Sequence, residues 1–201
     1  MKLFYLPGAC SLAPHIVLCE TRTPVTLVKV DRATKQTDEG EDFLNINPKG
    51  YVPALQLDDG QVLTEAQVIL QYLADQPPGS SLAPQAGTME RYQLQEWLSF
   101  ISTELHKTIG SFFNPKQTPE WKDVATEILH KRLAWLENQL QGREFVLGDR
   151  FTVADAYLVT VLSWTVRVKF DLSPWPAVQA YHTRVAQRPS VQQALREEGL
   201  A

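Results

Sequence analysis

A chain of 201 residues that is 44% hydrophobic and 21% charged has ordinary globular composition, enough for one large or two small cores. A formal net charge of -4 and the lack of a Lys or Arg run give no footprint for nucleic acid, although Lys35, Lys49 and Lys107 leave room for a small anionic ligand. Strand-like alternation opens the chain where a leader would be basic and then apolar, and no apolar run reaches membrane-spanning length, so no membrane partner is expected and a cytoplasmic home is the default.

Lys2 to Leu6 alternates like a buried strand, with Tyr5 on the face of Leu3 as core or supporting wall. Pro7-Gly8 breaks it, and from Ser11 the residues Leu12, Ile16 and Cys19 carry helical spacing, with His15 on a different face. Cys10 falls where the strand ends and the helix begins, a junction whose unpaired N–H groups and dipole favour a thiolate. Cys19 reads instead as a small hydrophobe on a core-facing helix. If the stretch between them is helical, the two cysteines stand about 13 Å apart on opposite faces, too far for a disulfide. No His and Cys pair is read as having ligand spacing, so no zinc or other metal is expected.

Thr26 to Val30 is a β-branched run and a second strand, followed by the polar segment Asp31 to Asp42 with Lys35 in its middle. Phe43, Leu44 and Ile46 anchor a short helix or turn before Pro48. From Tyr51 to Glu65, alternating apolar residues flank Asp58-Asp59-Gly60 and predict two short strands joined by a tight turn. Val52-Pro53 precedes the first of them, where proline has no ladder N–H to give and where a cis peptide is admissible. Thr64-Glu65 then opens the periodic run Val68, Ile69, Tyr72 and Leu73. Orphan N–H groups at that helix start, with a carboxylate beside them, suit the zwitterionic end of an amino acid: N–H groups for its carboxylate, Glu65 for its ammonium.

Pro and Gly cluster over 75–81, the best linker candidate, which divides the chain into domains 1–80 and 81–201. Met89 to about Ile109 forms a long helix with an apolar seam of Leu94, Leu98, Ile101 and Leu105, and a second stripe of Ser99, Thr103, His106 and Gly110. Pro119 to Leu140 is amphipathic through Val124, Ile128, Leu129, Leu133, Leu136 and Leu140. Thr152 three residues before Asp155 reads as a capping box, a folding device ahead of the apolar helix Tyr157, Leu158, Val161, Leu162, Trp164, Thr165. Trp175 to Val185 and Val191 to Leu195 complete an all-helical half.

Taken together, Met1 to Tyr5 leading into Pro7-Gly8-Ala9-Cys10-Ser11, Asn47-Pro48-Lys49-Gly50, Val52-Pro53-Ala54-Leu55, Thr64-Glu65 and Phe151 to Tyr157 resemble the bacterial beta class of glutathione transferases over almost the whole chain. The resemblance implies an α/β thioredoxin-like N-terminal domain with a mixed four-stranded sheet, an all-α C-terminal domain and a homodimer. It implies glutathione as cosubstrate, with no other cofactor, and a small hydrophobic electrophile held near Phe112, Phe113, Trp164 and Val168. Carried over residue by residue, it assigns glutathione contacts to Ala9, Cys10, Lys35, Val52, Pro53, Glu65, Ala66, Ser99, Thr103, Glu104 and Lys107, and catalytic roles to Cys10 and His106.

Two positions depart from the family pattern. Ala66 stands where a serine hydroxyl is common, leaving only its N–H for the ligand, and Ser99 stands where asparagine is frequent. The implied activity is conjugation of reduced glutathione, with thiol-disulfide or peroxide reduction dependent on Cys10. Without Cys10, helix-end N–H groups and Ser11 would still support a bound thiolate. The rival reading is a non-enzymatic module that keeps the fold for binding or interaction.

Overall fold

The computed structural model describes residues 1–76 and 80–201, so Pro77, Pro78 and Gly79 of the expected linker lie outside the described residues. Two compact units emerge, Met1–Ser80 with Arg188–Ala201, and Ser81–Gln187.

In the first unit, β1 (Lys2–Tyr5) pairs parallel with β2 (Thr26–Lys29) and antiparallel with β3 (Ala54–Gln56), which pairs antiparallel with β4 (Val62–Thr64). The described strands therefore make one mixed sheet in the order β2-β1-β3-β4. The strand period of two sorts its side chains. Phe4, Val28 and Ala54 line one face and pack on Phe43 of α2 (Phe43–Ile46). Leu3, Leu27 and Leu55 stand opposite one another in the other row, and Tyr5 of that row lies 6.5 Å, ring to ring, from His15 of α1 (Leu12–Thr21). The β3–β4 connection is a loop from Leu57 to Gln61, closed by the Leu57 N–H on the Gln61 carbonyl at 2.8 Å, with Gly60 at φ +86°. That is longer than the two-residue turn the Asp-Gly pair suggests.

Helix α3 (Ala66–Asp75) follows β4 and buries Ile69, Leu70 and Leu73, while Val68, expected on its apolar face, is 43% exposed. The last helix, α9 (Pro189–Glu197), packs on α1, so residues 188–201 belong with the sheet unit and not with the helical half to which their periodicity assigned them. The reason is a set of contacts 168 or more residues apart in sequence. Arg188 grips Glu20 through two hydrogen bonds of 2.9 and 2.6 Å, and both nitrogens of His15 reach carboxylates of Glu197 and Glu198.

The second unit is helical. Helix α4 (Met89–Phe100) runs into a π-helical segment, Ile101–His106, and on into α5 (Lys107–Ser111). The expected seam of Leu94, Leu98, Ile101 and Leu105 is fully buried. Side-chain hydroxyls take up carbonyls along the widened turn, with Thr103 Oγ1 donating to Ser99 O at 2.9 Å and Thr108 Oγ1 to Glu104 O at 2.6 Å. Helix α6 (Pro119–Leu140) buries Ala125, Leu129, Leu133, Leu136 and Leu140; Val124 and Ile128, predicted on that seam, are 47% and 38% exposed. Helices α7 (Val153–Arg167) and α8 (Pro176–Ala186) complete the unit. No helix among the described residues is long and apolar enough to cross a membrane.

Asp155 ties α7 to its surroundings. Its buried carboxylate accepts from the Val146 N–H and the Thr152 N–H, both at 2.9 Å, and from the hydroxyls of Thr152 and Tyr181 at 3.0 and 2.8 Å. Burial pushes its carboxyl above the ordinary range against the pull of these donors. The Thr152 capping box of the sequence is thus the visible half of a larger network. Asp155→Ala strands several buried donors at once and should lower stability by about 3 kcal/mol in urea unfolding. A loss below about 1 kcal/mol, the net worth of one ordinary hydrogen bond, would mean that the network carries no weight.

Candidate active site

Cys10 lies in the turn between β1 and α1, half-buried, and its thiol donates to the Val52 carbonyl at 3.1 Å. Neighbouring Ser11 is fully buried and committed: its hydroxyl accepts from the Leu6 N–H at 3.1 Å and donates to the Leu6 carbonyl at 3.2 Å. It closes the turn, so the expectation that Ser11 supports a bound thiolate does not hold. Ala9, half-buried, closes the same turn from its other side through its N–H on the Leu6 carbonyl at 3.0 Å.

The segment facing Cys10 is shaped by 47–53. Gly50 takes φ +68°, and a Cβ there would come within 3.2 Å of Leu44 Cδ2, so glycine answers both a conformational and a spatial demand. Buried Asn47 donates its amide to the Tyr51 carbonyl at 2.7 Å, holding the loop ahead of the cis Val52-Pro53 bond. Lys35, half-buried with φ +60°, folds over this loop and donates to the Gly50 carbonyl at 3.1 Å.

Glu65 sits at the N-terminus of α3 with φ +69° and ψ 117°, a conformation that costs a residue other than glycine roughly 1–3 kcal/mol. Its carbonyl accepts from the N–H groups of Val68 and Ile69, and its side chain makes no cap to its own helix. The carboxylate is therefore turned outward. It pairs with Lys49, whose ammonium also reaches Thr64 Oγ1 at 2.7 Å. Lys49, by its sequence only a local cation, is carried beside Glu65 by the Asn47-Pro48-Lys49-Gly50 turn. Ala66 is buried at the first position of α3, where backbone N–H groups lack intrahelical acceptors. Of the first-unit candidates Ala9, Cys10, Lys35, Val52, Pro53, Glu65 and Ala66, the 47–53 segment meets Cys10 through Val52, Lys35 through Gly50 and Glu65 through Lys49.

The other five residues lie on the helix of the second unit. Ser99, Thr103 and Lys107 are exposed, and Glu104 is held by Arg132 through an Nε–Oε2 contact of 2.5 Å. His106 leaves the stripe expected for it. The π-helical segment turns it onto Tyr157, whose hydroxyl lies 2.6 Å from Nδ1, and onto the Trp164 ring at 4.8 Å. Phe113 lies edge-on to the same indole at 6.1 Å, so His106 sits among aromatic rings.

His15 and Glu198, unassigned in the sequence reading, support the Cys10 turn. Glu198 is buried; its carboxylate accepts from the Gly8 N–H at 2.8 Å and lies 3.0 Å from His15 Nδ1. Burial opposes a charge on His15, but hydrogen bonds to Cys19, Glu198 and Glu197 outweigh it and lift the imidazole to about 10. Cys19 is half-buried beside His15 and Glu197 and is not shielded in a core. The i, i+4 spacing of His15 and Cys19 was the missed signal, and it contradicts the expectation that no His and Cys pair has ligand spacing.

The glutathione S-transferase N-terminal domain family matches residues 8–76, and the glutathione S-transferase C-terminal domain family matches residues 100–189. Over the whole of both chains the protein is 47% identical to glutathione S-transferase GstA of Escherichia coli O157:H7. A sphingomonad glutathione S-transferase complexed with glutathione superposes with a TM-score of 0.95 at 50% identity, and a beta-class enzyme of Sphingomonas chungbukensis with 0.96 at 49%, each covering all of both chains. A thiol at the β1–α1 turn, an outward carboxylate at the start of α3 and these full-length similarities converge, and the chain belongs to the glutathione S-transferase family, as an enzyme of its bacterial beta class.

Proposed function

We propose that the enzyme joins the sulfur of glutathione to small hydrophobic electrophiles and that Cys10 adds a redox chemistry at the same place. The observation that carries this reading is the Cys10 thiol held 3.1 Å from the Val52 carbonyl, because it sets a nucleophilic sulfur against a backbone on which an extended peptide pairs like an added strand. Binding then exchanges partners: the cysteinyl N–H of glutathione takes the Val52 carbonyl, and the Cys10 thiol is released towards the ligand sulfur. The first-turn N–H groups of α3 at Ala66 receive the γ-glutamyl carboxylate and Glu65 its ammonium. Lys35 reaches the glycine carboxylate, as a flexible point charge can. Ala9 and Pro53 shape the walls, and Ser99, Thr103, Glu104 and Lys107 add polar contacts. His106, with Phe112, Phe113, Trp164 and Val168, forms a mainly aromatic wall for the electrophile.

In conjugation the glutathione thiolate forms the new bond to carbon as the leaving group departs with its electron pair. In reduction the Cys10 thiolate attacks the glutathione sulfur of a glutathione mixed disulfide, the other sulfur leaves as a thiolate, and Cys10 holds glutathione as a mixed disulfide. A reduced glutathione then attacks that bond, restoring Cys10 and leaving as oxidised glutathione. A peroxide would instead oxidise Cys10 to a sulfenic acid, which a glutathione thiol condenses with, releasing water. Thiol chemistry of this kind suits a reducing cytoplasm and a role against electrophiles and oxidants.

Oxidised glutathione should add one glutathione to Cys10 and none to Cys19, read by peptide mass mapping. Cys10→Ala should lose the adduct and all disulfide reduction while keeping some conjugation, supported by the helix-end N–H groups alone because Ser11 is committed to Leu6. Modification at Cys19, or disulfide reduction surviving in Cys10→Ala, would put the redox chemistry elsewhere.

Glu65→Gln keeps the shape at the start of α3 and removes the charge. Glutathione binding should weaken by about 1.5 kcal/mol, near the low end for a charge-assisted hydrogen bond because the carboxylate is exposed. Unchanged affinity by calorimetry together with a lowered melting point would make Glu65 a purely structural residue.

A homodimer is also proposed, with an interface well over about 1,200 Å² in total. The polar face of the α4–α5 helix, with Ser99, Thr103 and Lys107 exposed, offers more side chains than one small ligand covers. Sedimentation should show a dimer at micromolar protein, and a monomer alone would remove the claim.

A further inference from the structure

The proposed reaction leaves a second group of chemistry-bearing side chains unused, on the face of α1 that meets α9. His15 and Cys19, one helical turn apart, point the same way, and Glu197 of α9 joins them so that one ligand-type atom from each residue falls within 4.8 Å of the others. We propose that His15, Cys19 and Glu197 form a binding site for a borderline-soft divalent cation of the zinc type.

The spacing fits. Glu197 Oε2 lies 2.7 Å from His15 Nε2 and 3.8 Å from Cys19 Sγ. Tetrahedral zinc, with bonds of about 2.0–2.3 Å, separates its ligand atoms by roughly 3.3–3.7 Å, so both Glu197 contacts change by less than about 1 Å, and His15 and Cys19, whose ligand atoms fall within 4.8 Å, close by no more than about 1.5 Å. The donor set fits as well, because imidazole, thiolate and a single carboxylate favour zinc over calcium or magnesium, which take oxygen throughout.

Two further contacts have the form of an outer shell. A metal-bound histidine ordinarily gives its other ring N–H to a carboxylate, and Glu198 Oε1 stands 3.0 Å from His15 Nδ1, itself fixed by the Gly8 N–H. The second oxygen of Glu197 accepts from Gln193 Nε2 at 2.8 Å, which orients the carboxylate with Oε2 towards His15 and Cys19. An adjoining cavity of about 310 Å³, bordered by Arg22, Thr23 and Gln193, gives a fourth ligand water its place, and the 41% exposure of Glu197 gives the ion a way in. Binding replaces the protons on Nε2 and Sγ, which pass to solvent. The bound ion would cross-link α1 to α9, at the far end of the helix that Cys10 precedes.

The test uses the untagged full chain freed of metal by dialysis against a chelator. Zn²⁺ titrated against a chromophoric chelator should bind one equivalent with a dissociation constant below about 10 µM, and Co²⁺ should give a thiolate charge-transfer band with intensified d–d bands. Cys10→Ala should keep both signals. Cys19→Ser, which changes one half-buried atom, should lose the charge-transfer band and weaken Zn²⁺ at least about tenfold while its circular dichroism stays that of the parent; Glu197→Gln should weaken Zn²⁺ by a similar factor. Absence of stoichiometric binding, or a charge-transfer band that survives Cys19→Ser, would overturn the proposal.

Discussion

A buried carboxylate is the constraint on which the sheet unit rests. Glu198 has no exposed side-chain surface, and a carboxylate removed from water must find donors. It finds the Gly8 N–H in the turn before Cys10 and the imidazole of His15 in the middle of α1. One side chain near the C-terminus thereby fixes the loop that aims Cys10, the helix behind it and the segment it sits on. Losing either donor would leave charge uncompensated in the interior, which makes the arrangement close to all-or-none.

Most of the fold was legible because most of it is local. The alternation of Lys2 to Leu6, the Asp-Gly loop between β3 and β4, the proline at the start of α6 and the Thr152–Asp155 box each express a rule spanning a few residues. What was not legible depends on partners far away. Nothing near His15 announces Glu198, 183 residues on, and nothing near Arg188 announces Glu20, so 188–201 was assigned by its helical period to the wrong unit. Periodicity finds an apolar face without saying whether anything covers it, which is why Val68, Val124 and Ile128 were read as buried.

The candidate site divides along the same line. Cys10, Val52, Pro53 and Glu65 come from turns and helix starts whose residue types betray them. The pairing of Glu65 with Lys49 and the commitment of Ser11 to Leu6 depend on how the turns fold, which no residue type announces. Glu65 concentrates the trade between stability and function: its positive φ is paid for by the surrounding fold and leaves a carboxylate facing outward where an ordinary helix cap would have turned inward.

The π-helical segment Ile101–His106 holds one residue of slack in its helix. A π turn amounts to one residue more than an α-helix needs, and removing one residue there would let the helix close its regular hydrogen bonds. Side chains beyond the deletion would keep nearly their present angular places, because an i to i+5 step of a π turn rotates the chain by about as much as an i to i+4 step of an α-helix. With the residue lost from 102–104, His106 would still face Tyr157 and Trp164, and Ile109 would stay buried. An added residue in the regular helix on either side would instead rotate everything beyond it by about 100°. The segment therefore marks the one place where this helix can give up a residue while its two ends keep their phase.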